Sequence, residues 1–147
     1  MQPKSALQSS AAESARRFVL ACLWASNAIN AGFLAFDERM WAPELVSGSA
    51  LLAGALAYVV ALPLVQWRKP SGFWLALVVA WPASAVVVGD NFSAFGSTPN
   101  LATYWLNWAF FAVQIPLVWG SARWIRSDRP PQNAYGAAPP GGNGGPP

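Results

Sequence analysis

Residues 45–67 read LVSGSALLAGALAYVVALPLVQW, a run of 23 residues without a charge between Glu44 and Arg68. An α-helix rises about 1.5 Å per residue, so this run can cross a hydrocarbon core of about 30 Å. Its small residues recur at steps of three and four, which places them on one helix face: Ala50, Gly54, Ala57 and Ala61. Such a face lets another helix approach closely in lipid. The run therefore predicts a membrane helix with a packing face.

The composition of the 147-residue chain indicates the same class of protein. Only 10% of its residues are charged and 54% are hydrophobic, whereas about 25% are charged in soluble domains. The chain has no histidine and one cysteine, Cys22. Histidine is the commonest metal ligand and general base, so we expect no enzyme, no metal and no cofactor. The net charge of +3 is better explained by orientation in a membrane than by a nucleic-acid partner.

Three further uncharged runs accompany this segment, and the predicted spans are residues 18–36, 45–67, 73–89 and 101–121. Residues 1–15 are expected to form a flexible cytoplasmic arm, and residues 16–126 the transmembrane domain. The tail, 130–147, consists almost entirely of Pro, Gly, Ala and Asn. Such a composition cannot bury enough apolar surface to become ordered. The sequence thus predicts an all-α four-helix transmembrane bundle with a disordered cytoplasmic tail.

The basic residues give the orientation of the spans. With four spans, eight of the nine lysine and arginine residues fall on one side of the membrane, and only Arg39 on the other. Cytoplasmic loops carry the excess of positive charge, so both termini are expected in the cytoplasm. The abundance of Ala, Val and Trp and the Pro/Gly-rich tail suggest a GC-rich bacterium. The expected location is therefore a bacterial plasma membrane.

The two halves of the transmembrane domain share short patterns. Phe-x-Leu-Ala opens the first span at Phe18 and the third at Phe73. The shared patterns indicate either that the spans form two tandem hairpins of a duplicated sequence or that apolar residues match by chance. Prolines inside the spans are expected to bend the helices, and they are Pro63, Pro82 and Pro116.

Four amide side chains lie well inside the predicted spans, away from their ends: Asn27, Asn30, Asn107 and Gln114. Spacings of three and seven residues place each pair on one helix face. An unpaired amide in hydrocarbon costs several kcal/mol, so these side chains are expected to face protein. They form either interhelical hydrogen bonds, the preferred interpretation, or a polar lining for a ligand head group. Asp90, at the outer end of the third span, is expected to be a solvated helix-end acid.

The layout of four spans with both ends inside is similar to that of small flippase-like proteins of the GtrA type, which handle polyprenyl-linked sugars. The stretch Leu106-x-Trp108-x-x-Phe111-Ala112 resembles the last helix of tryptophan-rich sensory proteins, a family with five spans. The likeness is confined to span number and one short stretch, so it assigns no role to any residue.

No ionisable residue lies well inside a span, which argues against a proton-coupled carrier. The preferred function is a non-catalytic accessory or assembly subunit of a larger membrane complex. Its partners would be membrane lipids and other subunits or further copies of the chain. The alternative is a small carrier or binder of a lipid-like or quinone-like ligand, of the flippase type. A homo-oligomeric pore is the third hypothesis.

Overall fold

A computed structural model of the chain describes residues 3–37, 46–92 and 100–128. This part is all-helical, with four helices: α1 (Pro3–Phe36), α2 (Val46–Gln66), α3 (Pro70–Asn91) and α4 (Leu101–Ser127). The helices pack in a ring in which α1 contacts α2 and α4, and α3 contacts the same two helices. The contact between α1 and α2 is the least extensive of the four. The tail expected to be disordered, 130–147, lies outside the described residues.

Three helical segments are long and apolar enough to cross a membrane: Ser9–Phe36, Pro70–Asn91 and Leu101–Ser127. In α2 the corresponding apolar stretch, Leu52–Gln66, is shorter among the residues that the structure describes. An all-helical fold with three helices long and apolar enough to span a membrane is therefore confirmed. The number of four spans and the orientation of the termini stay predictions.

The first helix begins earlier than the sequence suggested. Described residues 3–15 continue α1, where a flexible arm was expected. Glu13 in this extension accepts charged contacts from Arg16 and Arg17 at 2.6 and 3.1 Å, and from Arg68 after α2 at 3.2 Å. Pairs at three- and four-residue spacing stabilise a helix, and the contact with Arg68 joins the extension to the end of α2. The hydropathy pattern does not indicate such ion pairs, so it did not predict that the helix extends to residue 3.

Aromatic side chains form much of the buried core. Phe33 of α1 and Tyr58 of α2 each pack edge to face on Phe110 of α4, with ring centroids 6.0 and 5.9 Å apart. Phe73 of α3 stacks on Trp124 of α4 at 3.7 Å. Edge-to-face and stacked pairs add about 1 kcal/mol beyond the area they bury. One cluster thus joins α1, α2 and α4, and the other joins α3 to α4.

The outer surface of the bundle is apolar. Large hydrophobic side chains project outward from all four helices, among them Trp24, Leu56, Trp81, Trp105 and Ile115. Contiguous apolar surface of this kind is unusual for a protein surrounded by water. It is the surface that a helix bundle presents when its solvent is lipid.

The small-residue face predicted on α2 is partly described. Ala61 is fully buried, Gly54 is buried and Ala57 is half-buried, whereas the side chain of Ala50 lies outside the described residues. The three prolines that were expected to bend the helices all lie inside helices that continue through them. Whether they bend those helices stays a prediction.

The turn between α2 and α3 brings the two helices into close contact. Arg68 has a φ of 57°, and the amide of Lys69 donates to the carbonyl of Leu64 at 2.8 Å, which closes α2 with a Schellman-type cap. Pro70 then occupies the first turn of α3. Two residues later, a Cβ on Gly72 would lie 2.7 Å from the backbone nitrogen of Val65. Only a residue without a side chain fits at this approach.

Replacing Gly72 with alanine should destabilise the protein by about 1–3 kcal/mol, because the added methyl group meets backbone that cannot move aside. The measurement is the melting temperature of the purified protein in detergent. Gly54→Ala is the matched control, since its Cβ would lie 3.9 Å from that of Ala83, an ordinary contact distance. Equal melting temperatures for the two variants would contradict the close approach of α2 and α3.

Candidate functional site

A groove opens between α1 and α2, the least closely packed neighbours in the ring. Its volume is about 400 Å³. Apolar side chains from both helices form most of its wall: Trp24, Ala31 and Leu34 from α1, and Leu52, Ala55, Leu56, Val59 and Leu62 from α2. Several of these residues belong to the exposed apolar surface. The groove therefore opens sideways on the surface of the bundle that would contact lipid.

Two amides interrupt this apolar wall, Asn27 and Asn30 of α1. The Nδ2 atom of Asn27 donates to the carbonyl oxygen of Leu23 at 2.9 Å and to that of Tyr58 at 3.4 Å. Its Oδ1 atom is buried and has no hydrogen-bond partner. Asn30 is 6% exposed, and its Nδ2 atom also has no partner. Two residues that line the groove thus each carry one buried amide atom without a partner, an acceptor on Asn27 and a donor on Asn30.

These two atoms carry an energetic cost. A buried polar atom without a partner costs about 1–3 kcal/mol relative to the same atom in water. Nearly all buried polar groups in folded proteins have a partner, so each exception needs a reason. A molecule lying in the groove with its own hydrogen-bonding groups would remove this cost. The groove and its two amides are the candidate site.

Gln114 lies elsewhere, inside the bundle between α1, α2 and α4. Its Oε1 atom accepts a hydrogen bond from the hydroxyl of Tyr58 at 2.7 Å, and its Nε2 atom donates to the Oγ of Ser26 at 3.3 Å. All three side chains are at most 2% exposed. This is an interhelical hydrogen-bond network. The sequence could have indicated Tyr58 as a member of this network, since a tyrosine deep in an apolar run needs a partner for its hydroxyl. It gave no indication that Ser26 would take part.

Asn107 occupies a third place, where α4 contacts the end of α3. Its Nδ2 atom donates to the Oδ2 of Asp90 at 3.1 Å and to the Oδ1 of Asn91 at 2.7 Å. Asp90 is 1% exposed, so the expectation of a solvated helix-end acid is wrong. The cause is the packing of α4 over the end of α3, which the position of Asp90 beside a predicted loop could not reveal.

The structure therefore divides the four amides that the sequence grouped as one polar lining. Asn27 and Asn30 lie together on the groove, whereas Asn107 and Gln114 have separate interhelical partners. The Oδ1 of Asn107 is itself buried without a partner, away from the groove. Within 3–37, 46–92 and 100–128, no three His, Cys, Asp or Glu side chains are grouped so that they could hold a metal ion.

A polar cavity of about 410 Å³ lies at the charged end of the bundle. It is lined by charged side chains of α1, of the α2–α3 turn and of the residue after α4, among them Glu13, Arg16, Arg68 and Asp128. Arg16 and Arg68 are paired with Glu13, and Arg16 also donates to the carbonyl of Gln66 at 3.3 Å. These contacts hold helix ends together, which is a structural role.

No family model, curated protein or solved structure matches this chain. Its function is therefore inferred from the arrangement of its own residues.

Replacing Tyr58 with phenylalanine should cost about 1 kcal/mol, because it keeps the ring but leaves the Oε1 of Gln114 without its donor inside the bundle. Unfolding in mixed micelles of increasing denaturing detergent measures this change. Tyr104→Phe is the control, since that half-buried ring lies against Trp105 on the outside of α4. If both variants unfold like the unmodified protein, the Tyr58–Gln114 hydrogen bond does not stabilise the bundle.

Proposed function

We propose that this chain is a non-catalytic membrane protein that binds one lipid-like molecule in the groove between α1 and α2. The observation that carries the proposal is the pair of unpaired amide atoms, on Asn27 and Asn30, beside an apolar groove of about 400 Å³. Binding sites for small molecules are concave and mostly apolar, with a few polar groups that fix the orientation of the ligand. The groove has each of these properties.

We also propose that all four helices span a bacterial plasma membrane with both termini in the cytoplasm. The 21 residues of α2 correspond to a length of about 31 Å, enough for a hydrocarbon core. The Glu13–Arg68 ion pair joins the start of the apolar part of α1 to the end of α2. At the other end, Asn100 donates to the carbonyl of Phe36 at 3.1 Å. Both contacts support an arrangement in which successive helices run in opposite directions.

Reporter fusions test this topology in bacterial cells. A fluorescent protein that matures only in the cytoplasm should fluoresce when fused after Asp128 or after Arg68, and not after Asn91. Alkaline phosphatase, which is active only outside the cytoplasm, should give the opposite pattern at the same three positions. Phosphatase activity after Asp128 would contradict a cytoplasmic carboxyl terminus.

An accessory subunit of a larger membrane complex is the second candidate function. It is favoured by the exposed rim of the groove, where Trp24 and Leu56 are 64% and 60% exposed. A transmembrane helix of another subunit could occupy the same groove with a polar side chain against Asn30. In that case the natural occupant is a protein segment, and the purified chain would carry no lipid-like molecule.

Native mass spectrometry after extraction in a gentle detergent distinguishes the two candidates. Under the first, the chain carries one added lipid-like mass, and Asn30→Leu lowers its occupancy about tenfold without changing assembly. Asn107→Leu is the control, because it removes an amide away from the groove and should keep the ligand while lowering stability. Stoichiometric co-migration with a larger complex, without a bound lipid-like mass, would overturn the first candidate and support the second.

A further inference from the structure

We infer that the occupant of the groove is an amphiphile with a small uncharged head group that both donates and accepts hydrogen bonds, such as a long-chain alcohol or amide. The inference rests on the proposed function and names the class of ligand. It follows from the polarity of the two unpaired atoms, from the charge of the groove and from the depth of the amides in the membrane.

The hydrogen-bond polarity of Asn27 is fixed by its neighbours. Both partners of the Asn27 amide group are carbonyl oxygens, which can only accept, so the atom facing them is Nδ2. The remaining Oδ1 is therefore an acceptor and needs a donor from the ligand. The unpaired Nδ2 of Asn30 needs an acceptor. A hydroxyl or a secondary amide supplies both, whereas a quinone or an ester supplies acceptors only.

The groove also selects against charge. None of the described residues that line it is ionisable. An ionised phosphate or carboxylate placed there would lose its water without gaining a counter-charge, which is far more costly than burying a neutral polar group. Charged phospholipids and fatty acids are thus poor ligands for this site.

The position of the amides along α1 limits the size of the head group. Asn27 lies nine residues beyond Phe18, the first residue of the uncharged run, and nine residues of helix correspond to about 14 Å. The amides therefore lie near the middle of the proposed span. A large hydrated head group would have to leave the membrane interface to reach this depth, whereas a single hydroxyl or amide needs little desolvation. The sideways opening leaves the hydrocarbon chain free to extend into lipid.

Three probes of equal chain length test the inference on the purified full-length protein in micelles: hexadecanol, methyl hexadecanoate and hexadecanoate. Native mass spectrometry at matched probe concentrations gives the occupancy of each. We expect one hexadecanol per chain, and an affinity for the ester and for the carboxylate about tenfold lower. Asn27→Leu should remove the preference for the alcohol over the ester, because it deletes the acceptor that the alcohol alone can satisfy.

The outcomes separate the class of ligand from the proposed function. Equal binding of the alcohol and the ester, or tighter binding of the carboxylate, would overturn the inferred head group and leave the groove as a lipid-binding site. Binding of none of the three probes would overturn the proposed function itself. The comparison among probes uses the unmodified chain, so it decides the matter even if Asn27→Leu does not fold. Where that variant folds, a persisting preference for the alcohol would show that Asn27 does not select the head group.

Discussion

The hydrogen bond from the Tyr58 hydroxyl to Gln114 joins two helices that are not neighbours in the ring. It passes through the interior of the bundle, where both side chains are almost completely buried. Water cannot replace such a bond inside a membrane, so each partner depends on the other to remain where it is. With Phe110 packed against Tyr58, this contact fixes the distance between α2 and α4 and therefore the width of the bundle.

Helix α1 packs unevenly against its two neighbours in the ring. On one side α1 lies closely against α4, where Phe18 and Val19 contact Gly120 so tightly that a Cβ there would lie 2.9 Å from each. On its other side α1 contacts α2 less extensively, and the groove lies between these two helices. The binding site proposed for the chain is thus the space left over when three of the four helix contacts are close.

Hydropathy located the helices well, because long runs without charge have few alternatives to a helix in lipid. Helices α1, α3 and α4 extend beyond the predicted spans. The fourth span was expected to end near residue 121, whereas α4 continues to Ser127 through Arg123 and Arg126, whose exposed side chains can reach polar surroundings while the backbone stays helical. The first helix extends the other way for a different reason, since ion pairs of Glu13 stabilise turns that carry no apolar pattern.

The candidate site was predictable only in part. A spacing of three residues was enough to place Asn27 and Asn30 on one face of α1. Which amides would find partners was not predictable, because that depends on which helices become neighbours. Gln114 meets Tyr58 and Ser26 across the bundle, and Asn107 meets Asp90 at a helix end. The atoms that remain unpaired are known only after those contacts are known.

The sideways opening of the groove has a consequence for how an occupant would be supplied. A molecule held there would arrive from the bilayer and return to it without crossing water. Its occupancy is then set by its mole fraction among the surrounding lipids, and dilution of the aqueous phase leaves that fraction unchanged. Under the proposed function, the protein would respond to the composition of its own membrane.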